Sequence, residues 1–117
     1  MIIVVLGKIE QNTCLRFNRI YTSTSELLRD FIAFKVTNDD EICGYTYVGK
    51  CVTDIEDGCV ETRTRRYENV VAISHDCFGD QSTVFHEIFH KLGLWHEQSR
   101  HDRDSYVKII NKNIKPG

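Results

Sequence analysis

Two hydrophobic periods divide this chain. Before residue 75 the apolar positions come in short runs and alternations, and after it they follow a helical repeat. MIIVVLGK opens with the five-residue apolar run Ile2 to Leu6, a length that fits a strand or a helix. Cys14-Leu15-Arg16-Phe17 alternates and predicts a short strand. Thr22 to Asp30 is polar, with a turn of helix expected around Glu26-Leu27-Leu28. Phe31 to Val36 is β-branched and aromatic and predicts a strand, ended by the turn cluster Asn38-Asp39-Asp40. Tyr45 to Gly49 predicts another short strand. Lys50 to Glu68 is polar and carries the hairpin signal Asp57-Gly58. Its basic cluster, Arg63, Arg65 and Arg66, reads as a solvated loop. Asn69 to Ser74 predicts a second full strand.

From Ser82 to Leu92 the period becomes helical. At about 100° per residue, Val84, Phe85, Ile88, Phe89 and Leu92 fall within an arc of roughly 140°, the expected core face. Asp80 or Ser82 supplies the N-cap. Gly93 follows the last periodic residue, where a left-handed cap belongs.

This helix carries His86-Glu87-Ile88-Phe89-His90. Histidines four apart share one helix face, one turn above the other. They lie beside the apolar arc, and Glu87 lies on the far side of the pair. Neutral imidazoles there can hold a metal ion while a neighbouring carboxylate takes a proton from a water, the division of labour a zinc hydrolase needs. The chain continues Lys91-Leu92-Gly93-Leu94-Trp95-His96, so a turn at Gly93 can bring His96 back to the same ion. The pattern H-E-x-x-H-x-x-G-x-x-H fixes five positions. Its chance occurrence in this length is on the order of one in 10⁵.

Composition narrows the classes. The chain has 117 residues, enough for one domain and too few for a separate cofactor domain. Lys+Arg 15 against Asp+Glu 17 gives a net charge of -2, without the basic excess of a nucleic-acid binder. No apolar run is long enough to span a bilayer or to form the core of a signal peptide. The five cysteines (Cys14, Cys43, Cys51, Cys59, Cys77) contain no C-x-x-C pair, and their scatter favours disulfides and an oxidising compartment. Five is odd, so at least one has no partner within these residues.

The eleven-residue zinc pattern is that of the metzincins. With Glu97 and the run HEIFHKLGLWHEQSRHDRD it closely resembles the astacin family of zinc endopeptidases. Cys14-Leu15-Arg16-Phe17, Cys43-Gly44-Tyr45 with Tyr47-Val48-Gly49, and Ala72-Ile73-Ser74 with Cys77 also resemble family segments. The resemblance covers about residues 9 to 49 and 69 to 115. It implies an α+β fold: the zincin-like upper subdomain, a twisted mixed sheet with an active-site helix, residues 1–117 forming a partial catalytic domain without its lower subdomain. The family's methionine turn and tyrosine ligand are not matched, since the sole methionine is Met1. Glu97 matches the family glutamate that meets a mature N-terminus and has no visible partner here. Between Gly49 and Asn69 the chain exceeds the family pattern by roughly a dozen residues.

The resemblance implies one Zn²⁺ held by His86, His90 and His96, Glu87 as general base, and hydrolysis of peptide bonds in proteins. It implies an extended peptide substrate along residues 70 to 74 and secretion. It also implies a Cys43–Cys77 disulfide. A Cys51–Cys59 bridge around Asp57-Gly58 is a separate inference from spacing, and Cys14 is either paired outside these residues or a buried free thiol. Arg100, Asp102, Arg103, Asp104 and Tyr106 read as ion pairs and a brace. The rival readings are a secreted zinc- and disulfide-stapled binding module, marked by a fourth protein ligand on zinc, and a truncated fragment without activity.

Overall fold

The computed structural model describes residues 1–20, 31–39, 41–50, 60–61 and 67–115. Among the described residues two α-helices, four strands and three short 3-10 turns form a small α+β unit. The opening apolar run becomes helix α1 (Ile2–Asn12), because Ile2, Val5, Leu6 and Ile9 recur at the spacing of one helix face. Val5 and Ile9 are buried, and Ile2 and Leu6 pack beside them. The helix stops where Thr13 turns extended at φ -141° and its hydroxyl caps the Ile9 carbonyl at 2.8 Å.

The strand expected at Cys14 to Phe17 does not form. The segment instead straps the C-terminal end of α1. Arg16 Nη1 donates to the carbonyls of Glu10 at 3.2 Å and Thr13 at 3.0 Å, and the Phe17 N–H donates to the Glu10 carboxylate at 2.6 Å. These bonds satisfy end-of-helix acceptors and leave no reason to join a ladder.

The sheet comprises β1 (Ile32–Thr37), β2 (Gly44–Thr46), β3 (Val60–Glu61) and β4 (Tyr67–Ser74). Strand β4 is central, parallel to β1 (Ile32↔Asn69 to Thr37↔Ser74) and antiparallel to β2 (Gly44↔Ile73 to Thr46↔Val71). Strand β3 pairs with its beginning. Val71 and Ile73, two apart, face the same side and meet Val5, Ile9, Val84 and Ile88, so both helices cover that face. Helix α2 (Gln81–Lys91) follows β4 through one tight connection. The expectations for Thr22 to Asp30, for Asp57-Gly58, for Cys51–Cys59 and for the arginine cluster lie outside the described residues.

The expectation that residues 70 to 74 border the cleft is corrected by the pairing: residues 71 to 73 have a strand on both sides. A central strand has no free N–H or C=O row for a peptide. The border position falls to β2, which among the described residues pairs only with β4.

Candidate metal centre

Helix α2 begins as its sequence dictates. Asp80 caps it, its carboxylate accepting from the Ser82 N–H at 2.9 Å and the Thr83 N–H at 3.3 Å, with both hydroxyls at 2.8 Å. These donors, the Ser82 hydroxyl foremost, hold the Asp80 carboxyl down to about 2. Of the predicted core arc, Val84 and Ile88 are fully buried, Phe85 packs on their edge, and Phe89 and Leu92 remain 37% and 36% exposed.

The helix ends in a Schellman turn. Gly93 takes φ +100°, its N–H donates to the His90 carbonyl at 2.9 Å, and the Leu94 N–H reaches the Phe89 carbonyl at 3.0 Å. The turn reverses the chain and returns His96 to α2. It also aims the Leu94 carbonyl at His90, which it meets at Nδ1 at 2.7 Å. A carbonyl only accepts, so His90 Nδ1 carries the proton and Nε2 keeps its lone pair for a metal. The sequence did not single out Leu94, because its contribution is a backbone oxygen; the signal was Gly93.

The three histidines come together. His90 Nε2 lies 2.9 Å from His86 Nε2, and His96 Nε2 lies 3.2 Å from the same atom. Each of the three offers a ring nitrogen, and these nitrogens all lie within 4.8 Å of one another. Tetrahedral zinc with Zn–N of about 2.0–2.1 Å needs nitrogens about 3.3–3.4 Å apart, and the two separations from His86 lie within a few tenths of an ångström of that. Nitrogen donors converging this closely, one of them held in its metal-binding tautomer, fit zinc. Among the described residues no carboxylate or thiol joins the cluster as a fourth donor.

The helical spacing set the flank of Glu87 and did not show that it is buried. It is only 6% exposed, because β2 runs against that flank of α2. Burial pushes its carboxyl up, opposed by the charges of His90 and His96. Beyond β2, the Gly49 N–H donates to the His90 carbonyl at 2.9 Å, and the buried Lys91 ammonium donates to the Gly49 carbonyl at 3.1 Å. The strand is thereby clasped to the end of α2 that carries His90. Cys43, immediately before β2, is bonded to Cys77 in the turn before α2, as the resemblance implied. Cys14 is free and exposed among the described residues, so the buried-thiol alternative is corrected.

Glu97, whose family partner, the mature N-terminus, is not matched here, pairs with Arg100 at 3.0 Å. The spacing of three residues was the available signal. Arg100 also forks onto Asp102 (Nε–Oδ1 2.9 Å, Nη2–Oδ2 2.8 Å), which keeps the Asp102 carboxyl low, and lies 5.7 Å over the Tyr106 ring. Arg103 reaches Asp104 at 3.4 Å and the Gln98 carbonyl at 2.9 Å. The expected ion pairs form, and the contacts described here join residues within 97–106 to one another.

The model of the peptidase family described as Astacin matches residues 1–117. The chain is 36% identical over 110 residues to zinc metalloproteinase nas-34 of Caenorhabditis elegans, covering 94% of this chain and 15% of that protein. It is 34% identical over 110 residues to Protein SpAN of Strongylocentrotus purpuratus, covering 92% of this chain and 15% of that protein. To Blastula protease 10 of Paracentrotus lividus it is 36% identical over 112 residues, with 92% and 15% covered. The chain thus spans about 15% of the length of these relatives.

Proposed function

The chain belongs to the astacin family, and from that premise we propose that residues 1–117 carry the zinc-binding upper part of a metalloendopeptidase catalytic domain. The observation that carries the reading is the convergence of His86, His90 and His96 Nε2 beside a buried carboxylate, Glu87. His86, His90 and His96 would hold one zinc ion. Bound there, the ion would supply Lewis-acid chemistry toward the scissile carbonyl and the water. Glu87 takes the water's proton and then passes it to the leaving amine.

Strand β2 borders this helix, and an extended peptide adds to its outer edge by backbone hydrogen bonds. The Schellman turn sets His90 and His96 together, and the Gly49 clasp sets β2 relative to His90. The Cys43–Cys77 bridge supports a secreted protein, since such bonds persist in oxidising compartments. No helix among the described residues is long and apolar enough to cross a membrane.

The rival reading, a zinc-stapled binding module, has no use for a buried carboxylate next to a metal ligand. Glu87→Ala distinguishes the two. Zinc content should stay at one per chain while hydrolysis of a quenched peptide falls by about 10²–10⁴-fold. Unchanged hydrolysis with zinc retained removes Glu87 from the mechanism.

A further inference from the structure

We infer that Gly44 is a positioning residue for the reaction: the side chain it lacks is the space in which Glu87 is seated. Gly44 is the first residue of β2 and pairs with Ile73 of β4. Its backbone is not in the left-handed region, which among the described glycines is taken by Gly49 and Gly93, so conformation does not require glycine here. Space does. A Cβ at this position would lie 3.0 Å from Glu87 Cγ, 3.1 Å from the Ala72 carbonyl oxygen and 3.2 Å from Ile73 Cδ1. All three are closer than ordinary van der Waals contact.

Strand β2 has little freedom to retreat from an added methyl group. Just before it, the Cys43 carbonyl accepts from the Ser74 N–H at 2.8 Å and Cys43 is bonded to Cys77. Beyond it, Gly49 is held by the His90 carbonyl and by Lys91. The Ala72 oxygen belongs to the central strand and is equally fixed. The movable neighbours are the Ile73 methyl and the Glu87 side chain. An alanine at 44 therefore turns Glu87 away from its place beside the histidines without touching a metal ligand.

This inference rests on Glu87 as general base, and its test separates the two claims. Gly44→Ala, Glu87→Ala and the double variant are compared as zinc-loaded protein for zinc content, kcat, KM and Tm. Gly44→Ala should keep one zinc and its KM and lose about tenfold to a hundredfold in kcat, the scale of a misplacement near 1 Å. Glu87→Ala removes the nearest of the three atoms that the new methyl meets, while the Ala72 oxygen and the Ile73 methyl stay, so adding Gly44→Ala to it should not lower kcat further and should lower Tm by less than it does in the parent. If Glu87→Ala is inactive and Gly44→Ala retains the parent kcat, the positioning role is overturned and the base stands. The role is equally overturned if the two substitutions lower Tm additively. Full turnover by Glu87→Ala overturns the base assignment and the positioning role with it. Should Gly44→Ala fail to fold, recovery of folding in the double variant supports the seat, and failure of the double variant overturns it.

Discussion

At residue scale the site depends on atoms that do not touch the metal position. His90 is held in one tautomer by the Leu94 carbonyl, which is placed by Gly93 at φ +100°. Gly93→Ala puts a Cβ where left-handed backbone resists one, costing about 1 kcal/mol or more, and moves Leu94. Zinc affinity should fall about 10–100-fold, as when an outer partner of a ligating histidine is lost, and competition with a chelator measures it. An unchanged affinity would mean that the Leu94 contact does not orient His90. The histidines and Gly93 were legible because their spacing is local. Glu87 was legible as a chemical type and not as a buried group. Its burial comes from Gly44, some forty residues away in sequence, and a glycine beside a short strand is only a weak sign of close approach.

At element scale, helix α2 was readable almost residue by residue, because its cap, its period and its terminal glycine agree. The Asp80 carboxylate is held at about 2, below its ordinary 3.8, so its contribution is complete above about 3.8 and is lost as pH falls toward 2. Asp80→Ala should therefore lower Tm at neutral pH, and the difference from the parent should vanish over that acid window. Thermal melts followed by helical circular dichroism check this. A constant difference down to pH 2 would place the effect elsewhere. Ile88, fully buried against β4, is the helix's main anchor, and Ile88→Ala should cost about 2–5 kcal/mol in chemical unfolding. Helix α1 is ambiguous in sequence because five apolar residues satisfy the helical and the strand period alike. Alternation misleads at 14–17 because it also describes an irregular segment whose polar groups bond to a helix end.

On the scale of the whole molecule, the order β1-β4-β2 puts β4 at the centre and β2 at the border. Strand order is non-local, so the sequence predicted the strand at residues 69–74 and missed its place. The described core is small: Val5, Ile9, Val71, Ile73, Val84 and Ile88 with Ala72. Cross-links therefore matter. The Cys43–Cys77 bridge spans 34 residues, and replacing both cysteines by serine should cost about 3–4 kcal/mol and free β2 from the turn before α2. Urea unfolding of oxidised and serine forms measures it, and equal midpoints would contradict the role. The proposed centre is a three-histidine zinc site open to water. X-ray absorption at the zinc edge of the loaded protein tests it most directly. Three imidazole nitrogens at about 2.0–2.1 Å and one solvent oxygen are expected. Sulfur in the shell, a fourth protein ligand, or a spectrum unaltered in His96→Ala would contradict it.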